Sequence, residues 1–132
     1  MAPRGVADRL ADIREAATDL SDFVHNVETD AFHALPYADR MGYRSIKNAL
    51  TELGEAIKAM PEEVLKRYPG VDWKGFAALR DMVVHQYFGI DTRRLLPIIN
   101  GEVPQLLAAI DAELQLIRAD EPPTEPGGRK PR

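Results

Sequence analysis

The sequence predicts an all-α fold, and three observations lead to that prediction. Over most of the chain, apolar side chains recur at steps of three and four residues, the period of a helix with one buried face. No segment shows sustained alternation of apolar and polar residues with β-branched enrichment, which would indicate a strand. No repeat of about 20–50 residues is evident, so a solenoid is not predicted.

The first helix is predicted over residues 6–27, where the helical period is regular. Its apolar stripe contains Leu10, Ile13, Ala17, Leu20, Phe23, Val24 and Val27. The next stretch, residues 28–38, is less regular and contains Pro36, which has no backbone N–H to donate inside a helix. This stretch is therefore expected to break or redirect the chain.

A second long helix is predicted over residues 39–59. Its apolar stripe contains Tyr43, Ile46, Ala49, Leu50, Leu53, Ala56 and Ile57. Gly54 lies inside it, and an interior glycine costs about 1 kcal/mol of helix propensity relative to alanine. We expect another helix to approach closely at Gly54, because such packing would compensate for that cost.

A short helix and a third long one are predicted next. Pro61, followed by two glutamates, suits the first turn of a helix, where proline loses no hydrogen bond and acids meet the positive end of the dipole. This short helix should stop at Pro69 and Gly70, and Asp72 can then cap the third long helix. The stripe of that helix contains Trp73, Phe76, Leu79, Val83 and Val84, and its two aromatic residues are expected in the core.

The last helix is predicted after Gly89, which should end the third one. Asp91 or Thr92 can cap it, and Pro97 and Pro104 should start, bend or split it. Its apolar residues are Leu95, Leu96, Ile98, Ile99, Val103, Leu106, Leu107, Ile110, Leu114 and Ile117.

Length and composition predict one folded domain over residues 1–118. Residues 119–132 contain four prolines and no apolar side chain larger than alanine, so we expect a disordered tail. The absence of cysteine excludes disulfides and thiolate chemistry. No apolar run approaches the roughly 20 residues of a membrane helix, and no signal peptide is recognisable, so a cytoplasmic protein is expected. The net charge of −4 means that a polyanion would need a local concentration of cations.

Residues 80–87, read as Arg-Asp-Met-Val-Val-His-Gln-Tyr, concentrate the side chains that can do chemistry. Asp81 and His85 are four residues apart, so on a helix the carboxylate can hold and orient the imidazole. Arg80 and His85 differ by about 140° around the axis and do not converge on one straight helix. The arginine could bend round, the helix could deform near Gly89, or a second protomer could complete the site.

Arginine and histidine together suit metal-independent cleavage of RNA, since histidine can move the proton of the 2′-hydroxyl or leaving oxygen while a guanidinium holds phosphate. DNA lacks the 2′-hydroxyl and should resist. No His-x3-His pair or compact carboxylate cluster is present, so neither a metal nor another cofactor is predicted. A lone R-x4-H pattern also fits a capping arginine and a surface histidine.

The surroundings of this pattern resemble the HepT-like branch of the HEPN superfamily at linked points. Residues 53–58, Leu-Gly-Glu-Ala-Ile-Lys, look like the G-E-A helix segment of the family. Residues 67–73 look like its following connection, and residues 80–91 look like its R-x4-H-x-Y signature and exit. The resemblance spans about residues 10–116. The sequence departs from the family pattern at Leu96-Pro97, where many relatives carry a tryptophan-containing helix. This difference affects local packing and the expected dimer surface.

The resemblance implies an antiparallel bundle of four to five helices that forms a homodimer, with two R-x4-H motifs lining a shared cleft where RNA is cut. By position Arg80 and His85 take the catalytic roles, and Asp81 occupies the polar position after the arginine. The chain would be the toxin of a type VII-like toxin–antitoxin pair. In such relatives a partner minimal nucleotidyltransferase of the MntA type attaches AMP to the motif tyrosine, here Tyr87, and silences the toxin.

Two alternatives stay open at the level of sequence. Glu55 could pair across the bundle with Arg80 in support of the site, or with Lys58 in a partly solvated pair on its own helix. The chain could also be a non-catalytic binding subunit of a nucleotidyltransferase complex, in which Arg80 contacts phosphate only.

Overall fold

A computed structural model of the protein describes residues 5–85 and 92–120, and these ranges form seven helices and no strand. The helices are α1 (Val6–His25), α2 (Thr29–His33), α3 (Leu35–Ala38), α4 (Arg40–Lys58), α5 (Glu62–Lys66), α6 (Trp73–His85) and α7 (Thr92–Asp120). The predicted all-α class is confirmed. Four helices are long, and three short ones in the connections raise the count above the expected four to five.

The caps of α4 and α6 follow the sequence closely. Asp39 precedes α4 and accepts a hydrogen bond from the Gly42 backbone N–H at 2.9 Å. Asp72 precedes α6 and accepts from the Gly75 N–H at 3.0 Å, as predicted. Each carboxylate satisfies one of the backbone donors that the first turn of a helix leaves free. Pro61 immediately precedes the short helix α5, also as predicted.

The prediction that residues 28–38 break the helical run is confirmed, since α1 ends at His25 and α4 begins at Arg40. This stretch forms the short helices α2 and α3, and Pro36 lies in the first turn of α3, where its missing N–H costs no hydrogen bond. Of the three effects expected of Pro97 and Pro104, a helix start and a split are contradicted, because α7 continues through both. Buried apolar side chains along α7 offset the hydrogen bonds that the prolines remove.

The directions of the helices follow from contacts between distant residues. Gly42, early in α4, lies against Phe23, late in α1. A Cβ added to Gly42 would be 3.0 Å from the Phe23 ring. Arg14, in the first half of α1, bonds Asp111 in the second half of α7 at 2.8 Å. Thr92, the first residue of α7, lies beyond the end of α1 and donates to the His33 carbonyl at 3.0 Å. Therefore α1 runs antiparallel to both α4 and α7.

Helix α6 also runs antiparallel to α7, and hence to α4. Arg67, ahead of α6, bonds Glu113 late in α7, whereas Met82, near the end of α6, shares a groove with Ile98 early in α7. The end of α6, the start of α4 and the start of α7 therefore lie at one end of the bundle, which we call the motif end.

The core lies between α1, α4 and α7, with Phe32 of α2 filling it from the motif end. The largest fully buried side chains are Phe32, Leu10, Ile13, Leu20, Ile46, Leu50, Leu53, Leu95, Leu106, Ile110 and Val103. Helix α6 contributes only Phe76 to the buried set, while Trp73 is half-buried and donates its indole N–H to the Leu65 and Tyr68 carbonyls. The core placement predicted for Phe76 is confirmed, and most other residues of α6 are only partly buried.

A buried carboxylate fixes the connection before α6 to α7. Glu113 is 3% exposed and accepts two hydrogen bonds from Arg67, at 3.1 and 2.5 Å, and one from the Tyr68 hydroxyl at 2.9 Å. The hydrogen bond from Arg67, assisted by that from Tyr68, lowers the pKa of Glu113 against the opposing effect of burial. Glu113 lies three residues after Ile110, so a charged side chain on the apolar stripe was the sequence signal for this contact.

We expect Glu113→Gln to destabilise the fold by about 1–3 kcal/mol at pH 7, because the amide loses hydrogen bonds to a charged acceptor. Since the folded pKa of Glu113 is depressed, its stabilisation is complete above the unfolded value of about 4.3 and is lost as pH falls through the folded value. Urea unfolding at pH 7 and at pH values falling from about 4 to about 3 should show the stability difference between the two proteins shrinking as the pH falls.

Asp111→Asn is the matched control on the same helix. Asp111 pairs with Arg14, and both side chains are about half exposed, so its loss should cost less than about 1 kcal/mol. A Glu113→Gln variant as stable as Asp111→Asn at pH 7 would contradict the structural role of Glu113.

No helix among the described residues is long and apolar enough to cross a membrane.

Candidate active site at the end of α6

Arg80 lies where α6 packs against Gly54 of α4. A Cβ placed on Gly54 would come within 2.1 Å of the Arg80 Cβ and 2.7 Å of its Cγ, so the arginine stem occupies the space that a side chain on Gly54 would need. The close approach predicted at Gly54 is confirmed, and its partner is a residue of the motif. Glycine therefore allows Arg80 to lie against the α4 backbone.

The guanidinium of Arg80 is held by carboxylates from two helices. Its Nη2 forms an ion pair with Glu55 of α4, and its Nη1 donates to Asp81 at 3.0 Å. Of the two partners considered for Glu55, the structure selects Arg80. The Arg80 side chain is 24% exposed, and its buried Nε has no hydrogen-bond partner among the described residues. The guanidinium is thus anchored but keeps one unpaired donor.

Asp81 bridges Arg80 to a second cation, Lys58, whose Nζ donates to the same carboxylate oxygen at 2.5 Å. The hydrogen bonds from Lys58 and then Arg80 lower the pKa of Asp81, and the bond to Asp81, with the charge of Glu55, raises the pKa of Arg80. Asp81 and Arg80 therefore stay charged around neutral pH. Lys58 was not identified as a site residue from sequence, although it lies one turn after Gly54 on the face toward α6.

His85, the last residue of α6, is exposed. The predicted hydrogen bond between Asp81 and His85 is absent from the described residues, which corrects the expectation that this carboxylate orients the imidazole. The physical reason is competition, since the two cationic donors Lys58 and Arg80 on Asp81 outmatch a helical neighbour four residues away. Asp81 positions Arg80 and Lys58 instead.

Arg80 and His85 do not meet within the described part of one chain. Arg80 turns toward α4, whereas His85 faces solvent at the motif end, and no hydrogen bond joins them there. Tyr87 and Gly89, the predicted modification site and helix stop, lie outside the described residues. The structure thus combines an anchored guanidinium with an accessible imidazole on one short stretch of α6. Such a pair can bind a phosphate and move a proton.

The comparisons with known proteins identify the family of the chain. The family model described as "Ribonuclease HepT-like" matches residues 13–113, so the chain belongs to the HepT-like ribonuclease family. The chain is 32% identical over 121 residues to "Putative RNase MJ0127" of Methanocaldococcus jannaschii, covering 92% of this chain and 97% of that one. It is 30% identical over 103 residues to "Probable ribonuclease HepT" of Thermococcus cleftensis, covering 78% and 90%. No solved structure matches the chain.

Proposed function

We propose that this chain is a metal-independent endoribonuclease that acts as the toxin of a toxin–antitoxin pair. The observation that carries the proposal is the motif itself: an arginine anchored against α4 and an exposed histidine five residues later. Membership in the HepT-like family and the ribonuclease names of its relatives support the same reading.

In the proposed reaction the 2′-oxygen of a ribose attacks the adjacent phosphorus, and the bond from phosphorus to the 5′-oxygen breaks. Imidazole is the protein side chain suited to exchanging protons near neutral pH, so His85 would take the 2′-hydroxyl proton or protonate the leaving oxygen. Arg80 would stabilise the charge that develops on the phosphate, as a preorganised guanidinium does. Asp81 and Glu55 hold that guanidinium in place.

A homodimer fits this chemistry because one histidine cannot serve as base and acid in the same step. A second copy would bring another His85 and another Arg80 to a shared cleft. The surface available for such packing lies on α6, where Leu79 and Met82 line an apolar groove of 230 Å³ with Ile98 of α7. Val84 is 48% exposed on the same helix. A covering partner would bury this apolar surface.

The proposal is tested with purified protein, EDTA and three labelled oligonucleotides of one sequence: RNA, 2′-O-methyl RNA and DNA. Only the RNA should be cut, because the other two lack a free 2′-hydroxyl. Cleavage that requires added Mg²⁺, or cleavage of the DNA, would contradict the mechanism. An intact RNA together with harmless expression would instead favour the non-catalytic subunit of a nucleotidyltransferase complex.

The proposed off-switch is attachment of AMP to Tyr87 by a partner minimal nucleotidyltransferase of the MntA type. Tyr87 lies two residues after His85 in sequence, so an added nucleotide would place bulk and negative charge beside a site that must bind phosphate. Intact-mass measurement after co-expression with such an enzyme should show increments of AMP that a Tyr87→Phe variant lacks. Equal increments on the variant would place the modification elsewhere.

A further inference from the structure

A stripe of three cations runs along α4 from its first residue. Arg40, Arg44 and Lys47 are spaced by four and three residues, so their side chains follow one another along the helix surface. Arg40 and Arg44 are exposed and Lys47 is partly exposed. No carboxylate occurs between Arg40 and Thr51, although the whole chain carries a net charge of −4. The stripe is therefore a local concentration of positive charge on an acidic protein.

The stripe lies on the same side of α4 as the candidate active site. Lys47 and Arg40 precede Gly54 by seven and fourteen residues, which places them within about 20° and 40° of the face that receives Arg80. Arg44 precedes Gly54 by ten residues and lies about 80° from that face. Because α6 runs antiparallel to α4, its end at His85 lies toward the start of α4. At 1.5 Å per residue, Lys47 is about 10 Å along α4 from Gly54 and Arg40 about 20 Å. The stripe thus continues the site toward the motif end.

These cations are less neutralised than those of the active site. Lys58 and Arg80 share Asp81, and Arg80 also pairs with Glu55, whereas Arg40 and Arg44 form no ion pair within residues 5–85 and 92–120. Lys47 lies over the Tyr43 ring, with its Nζ 4.7 Å from the ring centroid. This cation–π contact holds the ammonium group in place without cancelling its charge.

We propose that Arg40, Arg44 and Lys47 form a track for the phosphodiester backbone of a single RNA strand whose scissile phosphate lies at Arg80. This inference rests on the proposed ribonuclease function and names how its substrate is held. The span of about 10 Å between Arg40 and Lys47 matches about three stacked nucleotides at 3.4 Å each. Beside the start of the track, the 91% exposed Tyr37 presents a ring on which a base can stack.

The test measures binding of a fluorescent single-stranded 2′-O-methyl RNA, which cannot be cleaved through its 2′-oxygen. The variant is Arg40→Ala, Arg44→Ala and Lys47→Ala combined. Near physiological salt its affinity should fall about tenfold or more. The slope of log affinity against log salt should become shallower by about 2, since each lost phosphate contact contributes about 0.7 for a single strand.

The matched control combines Lys66→Ala, Lys74→Ala and Arg118→Ala, which changes the net charge by the same amount. These three residues are exposed and lie at the opposite end of the bundle. The control should bind like the wild type. If both triple variants lose the same affinity for RNA, only overall charge matters and the track is wrong. The track is also wrong if the stripe variant binds RNA as tightly as the wild type.

The experiment separates this inference from the proposed function. A protein that binds the 2′-O-methyl RNA through the stripe but never cuts RNA would contradict the ribonuclease and keep the track. A protein that cuts RNA, but whose stripe variant binds RNA like the wild type, would support the ribonuclease and contradict the track. Circular dichroism on each variant establishes that the helices remain folded.

Discussion

Replacing His85 by alanine is expected to reduce RNA cleavage by about 10²–10⁴-fold, the usual contribution of a positioned general acid or base. His85 is exposed at the end of α6, so its removal takes no packing from the core. The loss should therefore appear in kcat, with melting temperature and affinity for 2′-O-methyl RNA little changed. Growth arrest on expression should disappear with cleavage.

His25→Ala is the matched control, because His25 is also an exposed histidine at the last position of a helix. Its Nδ1 lies 2.7 Å from the Ser21 carbonyl oxygen on α1, and it has no place in the proposed mechanism. That variant should cleave RNA at the wild-type rate. If His85→Ala cleaves as fast as His25→Ala, the assignment of His85 is wrong.

Replacing Gly54 by alanine is expected to destabilise the fold and impair cleavage together. The new Cβ would lie 2.1 Å from the Arg80 Cβ and 3.4 Å from its Cα, so α4 and α6 must move apart. Overpacking of this kind costs about 1–3 kcal/mol, which exceeds the gain of about 1 kcal/mol in helix propensity. Displacing Arg80 by about 1 Å is expected to reduce the cleavage rate about 100-fold.

Gly101→Ala makes the same chemical change in α7, where nothing lies within 4 Å of the added Cβ. This exposed position should become more stable by up to about 1 kcal/mol and retain full activity. Urea unfolding and cleavage assays on both variants provide the comparison. A Gly54→Ala protein more stable than the wild type would show that the contact with Arg80 is not tight.

Much of the fold could be predicted because helical periods and caps are local. Asp72 precedes α6 and caps it by accepting from the Gly75 backbone N–H three residues away, so no distant residue was needed to predict this cap. The prediction that Pro97 and Pro104 start or split the last helix was wrong for the opposite reason. The backbone hydrogen bonds that the two prolines remove are offset by the burial of apolar side chains along α7, and this burial depends on α1 and the other helices.

The candidate site was predictable in its residues and less so in its contacts. Arg80, Asp81 and His85 follow from their types and spacing in the motif. The pairing of Asp81 with Lys58 joins residues 23 positions apart on different helices, and spacing along one helix could not reveal it. The charged donor Lys58 on α4 binds the Asp81 carboxylate in place of His85, the predicted partner on the same helix.

The sequence by itself determined the all-α class, the four long helices, the Asp72 cap and the segment in which arginine and histidine lie together. Only the tertiary structure decided that Gly54 receives Arg80, that Asp81 holds Lys58 and Arg80, and that the stripe on α4 continues from the site. The first set depends on backbone periodicity and nearby hydrogen bonds. The second depends on how α6 is directed across α4, which arises from packing between residues far apart in the chain.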